Sequence, residues 1–185
     1  MHATRSLAAA VFAALAATPA PADEIEDAIA AALSAYRAGD IAAAKEEIDY
    51  AAQLLARRKA EGLQAFLPEP MPGWTRSLHD PQSAAMFGGG LFAGADYRKD
   101  GETVSIRLIA DSPVAMSMAA VFANPAMMAM QGRVLRVGRE KFLVKEDGIF
   151  GLIGNRVMVE VSGDAPEAVQ IGYLEAIDLG ALAAF

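Results

Sequence analysis

Between Pro68 and Gly73 the spacing of apolar residues changes from that of a helix to that of a strand, so the chain must combine two kinds of structure. Before the break, Ile25, Ile29, Leu33 and Tyr36 recur at helical intervals, with Glu24, Glu26 and Asp27 in the first turn, where carboxylates suit the helix dipole. Gly39 ends this helix, since glycine accepts the left-handed conformation of a C-terminal cap. Asp40 is placed to cap a second helix carrying Ile41, Ala44, Ile48, Ala51, Ala52 and Leu55 on one face, as far as about Phe66, before Pro68 and Pro70. A stripe so rich in alanine buries little area within the hairpin. Ile29, Leu33, Ile48 and Leu55 are therefore expected to pack on the rest of the chain or on a second subunit.

After the break the pattern predicts strands. Trp74–Leu78 is a short one, followed by a loop over 79–90 that ends in Gly88-Gly89-Gly90. Leu91–Arg98 and Thr103–Ile109 form a hairpin about Asp100-Gly101, the dipeptide of a tight turn. Ser112-Pro113 and Asn124-Pro125 each open a helix with a capping residue followed by proline, the second helix ending at Gly132. Strands are predicted at 133–137, 141–145, 149–153 and 156–161, and Asp164 with Glu167 has the spacing of a capping box for a final helix. Turns this short between successive strands require antiparallel pairing. The predicted fold is α+β: an antiparallel sheet of about six to seven strands covered by helices and preceded by an α-helical hairpin. Its divisions are residues 1–22, a hairpin over 23–67 and a sheet domain over 68–185.

Two resemblances follow from these residues. Ala-Tyr-Arg-Ala-Gly-Asp-Ile at 35–41, with Ala44, Ile48 and Ala51, resembles a tetratricopeptide-type hairpin, though the early tryptophan and closing proline of that pattern are missing. A unit of that kind implies a neighbour to stack on. Pro-Gly-Trp at 72–74, the strand pair around Tyr97, Asp111-Ser112-Pro113 at a helix start and Ala176-Ile177-Asp178 after the meander look like a PsbP/Mog1-type domain. That resemblance implies an assembly factor, accessory factor or binding module, and carries no site residues across.

The N-terminus speaks to location. Arg5 precedes an apolar run from Leu7 to Ala17, and Ala20-Pro21-Ala22 then stands before Asp23. These are the parts of a signal peptide cleaved after Ala22, which implies export to a bacterial periplasm. The run is short of the roughly 20 residues that a membrane span needs. No cysteine is present, so a lipoprotein anchor, disulfides and thiolate chemistry are excluded. Loss of Arg5 with the leader takes the net charge from −7 to −8, which disfavours nucleic acid as a partner.

Little in the chain points to catalysis. After cleavage His79 is the sole histidine, with no nucleophile-elbow serine, and it is expected to be a surface loop residue. The carboxylates at 23–27 and 46–49 fit caps and solvated helix faces. One histidine without cysteine cannot build a conventional zinc site, so no catalytic residue, metal site or cofactor is expected. Methionines crowd residues 116–130, at Met116, Met118, Met127, Met128 and Met130; they suit a core, an adaptable apolar groove or Cu(I). Arg133, Arg136, Arg139, Lys141 and Lys145 are expected to be solvated strand positions and edge protection. Two functions fit. One is a non-enzymatic periplasmic accessory or binding protein, with a protein partner or small apolar ligand on Met86, Phe87, Met116, Met127 and Met130. The other is a small-ligand or Cu(I) carrier using 116–130.

Overall fold

The structure, a computed structural model, describes residues 23–80 and 89–185. The chain divides into two compact units, Met1–Ala51 and Ala52–Phe185. In the first, α1 (Glu24–Arg37) is followed by the opening half of α2 (Ile41–Gln64). Asp23 caps α1 by accepting from the Ile25 amide. At the other end Gly39, with φ +81°, lets the Gly39 and Asp40 amides donate back to the Tyr36 and Ala35 carbonyls, both at 3.0 Å. That pair of bonds is the Schellman arrangement, which satisfies carbonyls the helix leaves open. Asp40 then caps α2 through the Ala43 amide at 3.0 Å.

The seam between the two helices is alanine. Ala28 and Ala32 on α1, and Ala44 and Ala51 on α2, are buried. The Tyr50 hydroxyl donates to Glu24 Oε1 at 2.5 Å, tying the far part of α2 to the start of α1 and fixing the pair as antiparallel.

The second unit is built on one seven-stranded antiparallel sheet: β1 (Thr75–Leu78), β2 (Leu91–Lys99), β3 (Glu102–Ala110), β4 (Arg133–Val137), β5 (Glu140–Lys145), β6 (Gly148–Ile153) and β7 (Val157–Gly163). The spatial order β1-β2-β3-β7-β6-β5-β4 makes it two meanders joined where β3 pairs with β7. The β2–β3 turn places Asp100 and Gly101 at φ +51° and +92°, the left-handed pair that a two-residue hairpin of type I′ demands. The four predicted C-terminal strands and the hairpin over 91–109 all appear, as does the α+β class.

Side-chain alternation separates two faces. Ala93, Ala95, Tyr97, Ile106, Leu108, Val159 and Val161 point to the main core, which is closed by α5 (Glu167–Glu175) and α6 (Leu179–Ala183) through Tyr173, Leu174 and Leu182. The end of α2 and the turn after it join this core with Leu63 and Leu67, so the last turns of the second helix belong to the sheet unit. Residues 68–73 are fastened to the same unit. The Tyr97 hydroxyl donates to the Pro68 carbonyl at 2.6 Å, Tyr173 accepts from the Met71 amide at 3.1 Å, and the two tyrosine rings lie 4.4 Å apart. Burial pushes the Tyr97 hydroxyl up to about 12.

On the opposite face α3 (Pro113–Ala123) covers Phe92, Ile109, Leu152 and Met158 through Ala115, Ala119 and Phe122. The short α4 (Pro125–Gln131) follows, capped as predicted by Asn124, which accepts from the Ala126 and Met127 amides.

Two sequence expectations need correction. Asp164 does not cap α5: its carboxylate accepts from the Thr103 amide at 2.5 Å, at the start of β3, and Pro166 occupies the cap position without a side-chain bond. The chain also continues into α6, which Asp178 caps through the Ala181 amide at 2.9 Å. Among the described residues no helix is long and apolar enough to cross a membrane.

Candidate functional site

The helical hairpin carries its large apolar residues on the outside. Ile29, Leu33, Tyr36, Ile41 and Ile48 are 47–65 % exposed; Ile29, Leu33 and Ile48, with Leu55 at 48 %, are the side chains expected to pack on the rest of the chain or on a second subunit, and within this chain they stay open. Alanine decides this. The small alanines are buried along the seam, and the larger side chains are turned away from it.

Both stripes leave the hairpin on one side. On α1 each large residue follows a buried alanine by one position, Ala28–Ile29 and Ala32–Leu33, which is about 100° round the helix. On α2 Ile48 follows Ala44 by four, about 40° in the same sense, and Ile41 precedes it by one heptad. Because the helices are antiparallel, rotation in one sense from the seam brings the two stripes out together. Tyr50 and Glu24 close the opposite edge.

The candidate apolar surface read from the sequence falls in different places. Met86 and Phe87 lie outside the described residues. Met116, Met127 and Met130 are exposed, at 69, 41 and 87 %, and Met127 and Met130 stand three residues apart on α4. Met128 is fully buried and Met118 partly so, which divides the methionines between core and surface. Two of the basic residues stand at a sheet edge, as expected: β4 is one of the two edge strands, Arg133 and Arg136 on it are exposed, and Arg133 pairs with Glu167.

His79 lies just past the end of β1, in the loop its sequence context suggested, and is partly buried there. Its amide donates to the Gly94 carbonyl at 2.8 Å, extending the β1–β2 pairing by one residue. Its ring lies parallel to Phe92, with centroids 6.1 Å apart, and its Nε2 stands 3.1 Å from Asp96 Oδ1. Ser105 Oγ donates to the same carboxylate oxygen, and Arg98 reaches Oδ2 at 2.9 Å. Burial pushes the Asp96 carboxyl up, but the Ser105 bond, His79 and Arg98 together outweigh it and hold the group below the usual carboxylate range. Asp96 is thus the hub. Histidine and serine both bond to it rather than to each other, so the set is not the serine–histidine relay of a hydrolase. Asp96 and Ser105 were not foreseen as partners of His79, since only the strand register brings them together.

Among the described residues no group of three His, Cys, Asp or Glu side chains is placed to hold a metal ion. The chain matches no family model, no curated protein and no solved structure.

Proposed function

We propose that this is an exported, non-enzymatic accessory protein that holds a protein partner on the outer face of its helical hairpin. The observation that carries the reading is the contiguous side of the hairpin formed by Ile29, Leu33, Tyr36, Ile41 and Ile48. Large apolar residues gathered on one side mark an interaction surface, whereas single exposed ones do not. The Asp96-centred cluster supports binding over catalysis, because the Ser105 hydroxyl gives its proton to the carboxylate and not to His79. The layout resemblance to PsbP/Mog1-type domains, whose members act as accessory factors, points the same way.

The test is capture of partners from the compartment to which the protein is exported, comparing the unmodified protein with Leu33→Glu/Ile48→Glu. Both positions are exposed, so the variant is expected to fold and to lose its partner. A folded variant that captures the same partner as the parent overturns the reading.

A second reading, a Cu(I) or small apolar ligand site, is favoured by the exposed thioethers of Met116, Met127 and Met130. Titration with Cu(I) against a competing chelator checks it. Binding that disappears in Met116→Leu/Met127→Leu/Met130→Leu supports it, and binding unchanged in that variant or absent from the parent rejects it.

A further inference from the structure

Charge is distributed unevenly along this chain, and the excess falls on the helical hairpin that carries the apolar face. Residues 23–51 hold eight carboxylates, on Asp23, Glu24, Glu26, Asp27, Asp40, Glu46, Glu47 and Asp49, against Arg37 and Lys45 alone, a net charge of −6. Residues 52–185 carry 15 acidic and 13 basic side chains, a net of −2. Three-quarters of the charge of the chain from Asp23 onward therefore sits on fewer than thirty residues. Lys45 is also committed, pairing with Asp49 one turn on. Each stripe, Ile29–Tyr36 and Ile41–Ile48, spans eight residues, about 10 Å of helix from first to last. On a hairpin this small its carboxylates, those on the opposite edge included, lie within about one or two Debye lengths of the apolar face at physiological salt.

We infer that the occupant of this face is a cationic amphipathic helix of a partner protein, with apolar residues at helical spacing flanked by lysine or arginine. The inference rests on the binding function proposed above and names the chemistry of the partner. Two observations select it over a second copy of the chain. An isologous contact would set −6 against −6. The five apolar residues expose on the order of 500 Å², which suits one face of a helix of about three turns and falls short of the ~800 Å² per partner typical of a stable interface between folded proteins. The same negative field disfavours anionic lipid. Apolar anchors would supply residence time, and the charge would speed encounter and choose among partners.

The probes are two synthetic amphipathic peptides with one leucine pattern, one carrying lysine and the other glutamate on the polar face, titrated into the purified protein by fluorescence anisotropy. The lysine peptide is expected to bind at least about tenfold more tightly than the glutamate peptide, and to weaken severalfold as salt is raised from about 0.05 to 0.3 M. Leu33→Glu/Ile48→Glu should abolish this binding. Glu26→Gln/Asp27→Asn/Glu46→Gln/Glu47→Gln, which keeps both stripes, should erase most of the difference between the peptides. Equal binding of the two peptides, or binding of neither, overturns the inference. So does sedimentation showing a dimer that Leu33→Glu/Ile48→Glu converts to monomer. If neither peptide binds but partner capture still depends on Leu33 and Ile48, the binding function stands and only the partner chemistry is wrong. If capture is indifferent to those residues, the function itself falls.

Discussion

The His79 ring lies where any side chain at position 94 would stand: a Cβ on Gly94 would come 2.6 Å from Nδ1 and 2.9 Å from the Phe92 ring. Gly94→Ala is therefore expected to lower stability by about 1–3 kcal/mol through overpacking. Adding His79→Ala should recover only part of that, since the Phe92 contact remains; thermal denaturation of the single and double variants decides it. Asp96 gives a pH-dependent counterpart. Its pKa is lowered in the folded state, so its contribution is fully present above the unfolded value of about 3.9 and is lost as pH falls through the folded one. Asp96→Asn should accordingly cost about 1.5–3 kcal/mol at neutral pH, and the gap to the parent should narrow towards pH 3 in urea titrations. None of this could be read from the residues around position 79. The partners lie on β2 and β3, and a register shift of a single residue would have turned Asp96 to the other face.

Elements whose signals are local were legible; those whose role is set by a distant contact were not. The Gly39 stop, the Asp40 and Asn124 caps and the Asp100-Gly101 turn appear as expected, because each is fixed within about four residues of chain. Asp164 has the spacing of a cap, yet its carboxylate is drawn to the Thr103 amide across the sheet. The hairpin helices were legible as helices, but not for which side they bury. Alanine and isoleucine both count as apolar in a periodicity, and only packing shows that the smaller residue takes the seam. Helix α2 has a practical consequence at this scale. Leu63 and Leu67 are buried in the core of the sheet unit, so a fragment beginning at Pro68 lacks two leucines of its own interior. Each such loss is worth about 2–5 kcal/mol. A 52–185 fragment is thus expected to melt cooperatively and well above a 68–185 fragment by circular dichroism. Equal melting temperatures would show that the end of α2 and the turn after it are dispensable.

For the molecule as a whole, the α+β class was legible because the strand and helix periods alternate cleanly after residue 73, whereas the joining of the two meanders was not. Export is tested by the intact mass of the protein purified from the periplasm, expected to correspond to a chain that starts at Asp23. Recovery of the full-length chain in the membrane fraction would contradict it. The pairing of β3 with β7 also sets the order in which the fold can be completed. Everything from Asp111 to Arg156 lies between those strands, so β1–β3 can form locally as the chain emerges, while their last neighbour arrives only after the second meander has been made. Until then β3 presents an unpaired edge bearing Ile106 and Leu108, the kind of edge that recruits strands from other molecules. The interval before β7 docks is therefore expected to be the one in which this chain is most open to aggregation. Substitutions that slow the second meander should reduce the yield of folded protein more than their effect on final stability would suggest.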